Sequence, residues 1–390
     1  MGIYSLSLLG SVSSLGGEES DICEAIFSTG PSPLRKQKIF APCGDAIVGL
    51  VQAELPDIPL DFLHFASRTS QLALFLANKA RAAVEEVRRK VPAQRIGVVL
   101  GSSTSGIVAA EDAFIERDSK SSFPSWYHYQ QQEIGTVARV FADFLGIKGP
   151  TYTVSTACSS SAKAFVSARA LIDADVCDVV LTGGIDSLCR LTVGGFSSLE
   201  LISTEISNPF SKNRKGLNIG EGGAIFMLAR NLDAPFALLG VGEVSDAYHI
   251  SAPHPDGLGA AATIRAAISD AKLNLDQIGY INLHGTGTTL NDSMEAKAVA
   301  KEVGLHIPCS STKPLTGHAL GAAGALEAAF SCLALKHKKI PLHRFDGERD
   351  PELPEIALAT RETNLESGLA VLSTSFGFGG SNCCLVIGAR

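Results

Sequence analysis

Residues 154–172 read V-S-T-A-C-S-S-S-A-K-A-F-V-S-A-R-A-L-I. A β-prone run ends in small residues, and a helical pattern begins with Cys158 at the turn. A thiol there meets the unpaired amide groups and the positive dipole end of a helix, which favour the thiolate. A cysteine among small residues serves equally well as a packing residue. Two histidine motifs downstream tip the reading towards a nucleophile in acyl transfer.

The order of segments around this stretch recurs later in the chain. I-G-V-V-L-G-S-S-T-S-G (96–106) is echoed by I-G-Y-I-N-L-H-G-T-G-T (278–288), and the Cys158 turn and helix by T-G-H-A-L-G-A-A-G-A-L-E-A-A-F (316–330). D-V-V-L-T-G-G (178–184) is echoed by L-A-V-L-S-T-S-F-G-F-G-G (369–380), and A-I-F-M-L-A (224–229) by N-C-C-L-V-I-G (382–388). Four echoes in one order predict an α/β chain of two similar βαβ-type halves. The boundary falls near 231–237, giving halves 1–234 and 235–390. Loops from equivalent strand ends of both halves are expected to line one cleft. His318 is then expected close to the place Cys158 holds in the first half.

The remaining pattern is conventional. A strand opens the chain, a short helix covers Glu18–Phe27, and 28–61 reads as irregular. A long helix spans Ser67–Val91, with further helices over 107–117 and 129–145. In the last of these Ile134, Val137, Ala138, Phe141 and Leu145 share a face.

Composition bounds the function. The 390 residues are 45% hydrophobic with only 6% aromatic and 38 glycines, which suits close-packed helices and tight βα turns. A net charge of −7 argues against nucleic-acid or anionic-membrane binding, so an acidic partner must meet a local basic patch. Nine cysteines without C-x-x-C spacing predict reduced thiols and a cytoplasmic setting. The opening M-G-I-Y-S-L-S-L-L-G lacks a basic leader and cleavage site, and no apolar run is long enough to predict a membrane span.

His284 ends a strand and precedes Gly285-Thr286-Gly287-Thr288. It reads as a satisfied structural residue or as a ligand contact beside two threonine hydroxyls. A phosphate cradle finds no Walker lysine or Rossmann spacing. His318 closes Lys313-Pro314-Leu315-Thr316-Gly317-His318 just before an Ala/Gly-rich helix, where a helix N-terminus keeps imidazole neutral. Lys313 reads as a surface charge or as the partner of Glu327 at a buried site. Phe376-Gly377-Phe378-Gly379-Gly380 reads as a bulge with core aromatics or as a glycine-hinged gating loop. Arg35, Lys36, Lys38, Arg68, Lys212, Arg214 and Lys215 are solvated charges or contacts for an anionic partner. The histidines have neither helical i,i+4 spacing nor a cysteine pair, so no metal site is expected.

Together, T-A-C-S-S-S, H-G-T-G-T, K-P-L-T-G-H-A-L-G-A-A-G and S-F-G-F-G-G-S-N resemble the β-ketoacyl-[acyl-carrier-protein] synthases of the elongating Cys-His-His class, across essentially the whole chain. The resemblance implies the thiolase fold, with duplicated halves in five αβαβα layers, and a decarboxylative Claisen condensation. Cys158 would take the acyl chain, His284 and His318 would hydrogen-bond the malonyl thioester, and Lys313 with Glu327 would maintain the electrostatics. The amides of Cys158 and Phe378 would form an oxyanion hole, with Phe378 as gate and Phe376 beside it. Thr286 and Thr288 would hold the phosphopantetheine arm of an acyl carrier protein. No permanently bound cofactor is implied. Arg68, Lys212, Arg214 and Lys215 would dock the carrier.

A narrower resemblance rests on Y-H-Y-Q-Q-Q-E, G-G-I-D-S-L-C-R-L-T and N-P-F-S-K-N-R-K-G-L-N-I-G-E-G. These are similar to ketosynthases of aryl polyene pathways, which implies pairing with a ketosynthase-like chain-length factor. Ala109 and Ala110 stand where the common form carries bulkier residues; their smaller side chains would either leave room for a rigid polyene or aryl head or be made up for by a shifted backbone. The alternatives are a homodimeric fatty-acid elongation synthase and, in a different class, a non-catalytic chain-length factor, against which the intact Cys158, His284 and His318 argue. A thiolase would carry a second reactive cysteine; Cys383 and Cys384 lie inside a strand pattern instead. An initiating Cys-His-Asn synthase would carry asparagine in place of a histidine such as His318.

Overall fold

Ten strands form one sheet whose order divides into two copies of a single five-strand pattern. The computed structural model describes residues 4–38, 45–230 and 232–390. The first set is β1 (Tyr4–Val12), β2 (Ile96–Gly101), β3 (Thr151–Val154), β4 (Val179–Asp186) and β5 (Gly222–Arg230). The second is β6 (Phe236–Ser245), β7 (Ile278–Asn282), β8 (Cys309–Ser310), β9 (Ala370–Gly377) and β10 (Ser381–Ala389). The sheet order is β8-β7-β9-β10-β6-β1-β5-β4-β2-β3. In each half the outer three strands run parallel and the two nearest the junction antiparallel. The halves join where β1 meets β6, Tyr4 opposite Leu238 and Leu6 opposite Phe236.

The helices are α1 (Glu19–Phe27), α2 (Arg68–Arg88), α3 (Ile107–Lys120), α4 (Thr136–Leu145), α5 (Ser160–Asp173), α6 (Arg190–Ser198), α7 (Leu258–Ala271), α8 (Thr289–Glu302), the single turn α9 (Lys313–Thr316) and α10 (Ala323–His337). Their apolar faces sort them into layers. Leu72 and Leu76 of α2 and Phe141 of α4 pack on Val98, Leu100 and Ile225 of the first half. Ile264 of α7 and Met294 and Val299 of α8 pack on Ile281, Leu372 and Val386 of the second. Between the halves, Phe165 of α5 and Phe330 and Leu333 of α10 share one core with Leu6, Phe226, Tyr280 and Leu385. These are the five layers of the thiolase fold. The sequence of α10 dictates its place: from Ala323 to Leu335 every residue is buried, and a helix apolar on all sides must be enclosed.

Two expectations need amending. The segment 28–61 is not wholly irregular: Arg35–Gln37 and Ala46–Gly49 pair with each other, and the second pairs with Ile219–Gly220, in a small three-stranded sheet. Arg35 and Lys36 therefore lie on its edge strand, with Lys38 just beyond. Ile134 is 41% exposed because the helix begins only at Thr136, whereas Val137, Ala138, Phe141 and Leu145 are buried. All eight described cysteines carry free thiols, and Cys43 falls outside the described residues. Among the described residues no helix is long and apolar enough to cross a membrane.

Candidate active site

Cys158 occupies the turn between β3 and α5. Ala157 before it takes a φ of 53°, a left-handed conformation that costs a residue with a Cβ about 1–3 kcal/mol and bends the chain sharply. Serine hydroxyls lock the bend. Ser159 Oγ donates to Thr156 O at 2.8 Å, and Ser160 Oγ donates to Ala157 O at 2.6 Å while accepting from Thr156 N at 2.9 Å. The helix lies hard against the sheet because Gly101 has no side chain; a Cβ there would stand 2.2 Å from Ser161 N.

From the second half, His318 brings Nε2 to 3.0 Å from Cys158 Sγ. His284, just beyond β7, sets its ring edge-on to that of His318, with centroids 5.1 Å apart at 85°. Both imidazoles are buried, and burial with the Lys313 charge holds their pKa values well below 6.5, so both are neutral at pH 7. Lys313 Nζ donates to the carbonyl of His284, ion-pairs with Glu327, and lies 3.3 Å from His284 Nδ1. A nitrogen facing an ammonium acts as acceptor, which puts the His284 proton on Nε2. Burial raises Glu327 to about 7 against the pull of Lys313.

The structure corrects two expectations about the nucleophile. Burial outweighs the helix end and pushes the Cys158 thiol up to about 11, although Lys313 and the backbone amides of Phe378 and Cys158 pull it down. The resting group is a thiol with a neutral imidazole at hand. Nor is His318 the counterpart of Cys158. Leu320 has a φ of 51°, matching Ala157, and each stands three residues before its helix, so the residue equivalent to Cys158 is Gly321. His318 projects from the turn ahead of that point.

Cys158, His284 and His318 line one cavity of about 160 Å³ with Thr286, Thr288, Phe376 and Phe378. Thr286 and Thr288 hydroxyls lie 3.0 Å apart. Phe376 sets its ring edge-on to His284, centroids 6.1 Å apart, and Phe378 packs on Phe196 of α6 at 5.4 Å. The Phe378 loop is held from outside by Gly379 N donating to Ile250 O at 2.8 Å. Ala110 is buried on α3 and does not line this cavity; its short side chain stays within the packing of that helix.

The four docking candidates divide. Arg68 pairs with the buried carboxylate of Glu221 at 2.6 Å, and Arg214, 6% exposed, pairs with Asp350 at 2.5 Å. Arg214 is nearly enclosed with its partner, whereas Arg68 is 34% exposed with its guanidinium turned onto Glu221. Lys212 and Lys215 are exposed, paired with Glu348 at 2.6 Å and Glu205 at 2.9 Å, and Lys215 borders the cavity.

Three buried carboxylates organise the site unannounced by any motif reading. Glu295 accepts from the amides of His284 at 2.8 Å and Gly285 at 2.7 Å and from Thr374 Oγ1 at 2.8 Å. Asp292 accepts from Phe210 N at 2.8 Å and Gly287 N at 3.2 Å. Burial pushes Asp292 up to about 6 and Glu295 to about 7. The available signal was D-x-x-E on one face of the helix after H-G-T-G-T. Asp186, closing β4, accepts from the Ser103 and Thr104 amides, both at 2.9 Å, and from the hydroxyls of Ser102 at 2.6 Å and Ser103 at 2.8 Å.

The spacing argument against a metal needs amending too, because the donor atoms of Cys158, His284 and His318 converge within 4.8 Å. A cation there would sit beside the Lys313 ammonium, and that like charge opposes it. A second convergence, Glu19, Cys23 and His337, is met by Lys336, which holds Glu19 at 2.7 Å, while burial raises the Cys23 thiol to about 11.

Known proteins agree with this architecture. Residues 47–234 match the β-ketoacyl synthase N-terminal domain family and 236–344 the β-ketoacyl synthase C-terminal domain family. The 3-oxoacyl-[acyl-carrier-protein] synthase 2 of Synechocystis is 34% identical over 342 residues, 83% of this chain and 80% of that protein. The Staphylococcus aureus protein of the same name is 32% identical over 82% of this chain and 84% of its own length. A solved structure, the ketosynthase ApeO in complex with its chain length factor ApeC from Xenorhabdus doucetiae, is 40% identical, with a TM-score of 0.95 over 100% of this chain and 98% of that one. With both family domains matched across the two halves, the chain belongs to the β-ketoacyl synthase family, acyltransferases built on the thiolase fold.

Proposed function

We propose that this chain is an elongating β-ketoacyl-[acyl-carrier-protein] synthase that condenses a malonyl unit with an acyl chain held on Cys158. The observation that carries this reading is the placement of the Cys158 thiol 3.0 Å from His318 Nε2, beside His284 and below the Phe378 amide. The Cys158 sulfur attacks the carbonyl of an acyl thioester on the carrier's phosphopantetheine. His318 Nε2–H donates towards the sulfur, and the thiol proton leaves with the departing pantetheine thiol. The oxygen that gains negative charge meets the amides of Cys158 and Phe378, donors of a kind worth about 2.7–4 kcal/mol each in such intermediates. Malonyl thioester then enters. His284 Nε2–H and the His318 imidazole hydrogen-bond its carbonyl as carbon dioxide departs and charge moves onto that oxygen. The enolate carbon attacks the Cys158 thioester and yields a 3-oxoacyl thioester, and the expelled sulfur takes a proton from solvent to restore the resting thiol. Burial keeps both imidazoles neutral, and Lys313, fixed by Glu327, reinforces it, since a neighbouring ammonium disfavours a second positive charge.

Phosphopantetheine arrives on the carrier as part of the substrate, with Thr286 and Thr288 along its path, the exposed Lys215 at the border of the cavity and the exposed Lys212 three residues before it. The cavity of about 160 Å³ is smaller than the 300–1,000 Å³ usual for a ligand site, so a long acyl chain requires Phe378 to move. The finer reading is elongation of aryl polyene chains in the cytoplasm, in a heterodimer with a chain-length factor. It is supported by the motifs quoted above and by the likeness to a ketosynthase whose structure includes its chain length factor. The free thiols support the compartment.

The test is to incubate the chain, with and without a co-expressed chain-length factor, with acyl-loaded carrier protein and to weigh the intact protein. Acyl adducts on Cys158 and 3-oxoacyl carrier after malonyl addition are expected. Activity as a homodimer on saturated acyl carriers would instead favour fatty-acid elongation, which the names of the curated relatives support, and no adduct would overturn both.

A further inference from the structure

The helix beneath the gate has little to hold it. α6 runs from Arg190 to Ser198 with Val193 as its one buried residue, and it carries two adjacent glycines, Gly194 and Gly195. Leu191 is 62% exposed, and Cys189 at its N-cap makes no capping bond through its side chain. A short helix with glycines and a nearly bare surface has low intrinsic stability. Yet it supplies Phe196, the ring on which Phe378 rests.

The anchor comes from another helix. Glu111 of α3, only 15% exposed, accepts from Arg190 N at 2.8 Å through Oε2 and from Leu191 N at 2.6 Å through Oε1. The two oxygens of one carboxylate thus satisfy two of the amide donors that a helix start leaves unpaired, and its charge faces the positive end of the dipole. The Arg190 guanidinium folds back over the same place, 3.5 Å from Glu111 and 2.8 Å from Asp112. Glu111 follows Ala110 directly, so the clamp joins α3 to the support of Phe378.

We propose that Glu111 is a positioning residue for acyl entry: by capping α6 it holds Phe196 against Phe378, and so sets how readily the gate admits long acyl groups to Cys158. This rests on the reading of Phe378 as a gate given above. Loss of the cap frees α6 and its ring, and the passage loosens without any change at the sulfur or the imidazoles.

The experiment is single-turnover acylation of Cys158 from carrier-bound short and long acyl groups, followed by intact mass, with wild type, Glu111→Ala, Glu111→Gln and Glu111→Ala/Gly195→Ala. In Glu111→Ala the long-to-short rate ratio is expected to rise about fivefold, the change in equilibrium that losing one helix cap brings. Alkylation of Cys158 by iodoacetamide, which is small enough to bypass the gate, stays at the wild-type rate. Glu111→Gln, which keeps one acceptor oxygen, shifts the ratio less in the same direction. Nothing lies within 4 Å of a Cβ at Gly195, so an alanine there stiffens α6 and returns the ratio towards wild type. An unchanged ratio in Glu111→Ala, or an equal loss for every donor and for iodoacetamide, overturns the proposal. If Glu111→Ala does not fold, an unchanged ratio in Glu111→Gln overturns it. If wild type forms no acyl adduct at all, it is the synthase reading that fails.

Discussion

The turn that holds Cys158 and the turn that holds Gly321 have the same backbone and opposite fates. Each has a left-handed residue, Ala157 or Leu320, and each leads into one of the two enclosed helices. What differs is the end of the strand beside it. β4 closes on Asp186, which pairs in register with Gly222, and β9 closes on Gly377, which pairs in the same way with Ser381. Asp186 fills the space a side chain on Gly321 would need: a Cβ there would meet its Oδ2 at 2.7 Å and Ser103 N at 2.7 Å. Gly377 instead lets the strand end approach the Cys158 turn backbone to backbone, a Cβ there standing 3.0 Å from Thr156 O and 3.3 Å from Cys158 N. One duplicated frame has thus become one reactive turn and one braced turn. In the mechanism proposed above the braced turn still serves the reaction, since His318 projects from its approach into the cavity of Cys158.

That contrast can be broken most decisively at the sulfur. Cys158→Ala should abolish acyl adducts and lower condensation by about a thousandfold or more while malonyl decarboxylation persists; condensation at the wild-type rate would show that the turn is not the reactive one. His318→Ala should lower decarboxylation about a hundredfold, as removal of one charge-stabilising donor does, yet leave Cys158 open to slow acylation. Carbon dioxide release and intact mass separate the two effects. Cys158 alkylation should quicken about tenfold per pH unit from pH 7 to 10, because the thiol titrates at about 11 and only its thiolate reacts. A profile already flat at pH 6 would mean a standing thiolate–imidazolium pair. On the braced side, Gly321→Ala should cost about 1–3 kcal/mol through overpacking against Asp186, read as a lower denaturant midpoint. An unchanged midpoint would show that the space is not filled.

Much of this frame lay open in the sequence because duplication writes the same pattern twice: four echoed segments yield two halves, and Cys158, His284 and His318 fall at equivalent kinds of strand and helix ends. The division of labour between Asp186 and Gly377 did not, since it depends on strand register, which no single segment displays. The internal repeat places His318 close to the counterpart of Cys158, and the left-handed residues fix that counterpart three positions on, at Gly321. Arg68 and Arg214 look like surface charges, and only tertiary contact reveals Glu221 and Asp350 beside them. The thiol was misjudged for a related reason: a helix end acts locally, while burial is a property of the whole enclosure.

The burial of α5 and α10 between the two halves has a practical consequence for anyone dissecting the protein. A gene cut at the β5–β6 junction would give fragments that each expose an apolar helix which only the other fragment can cover. Neither piece should be recoverable by itself, and heating the intact chain should extinguish turnover and melt the structure as one event rather than two.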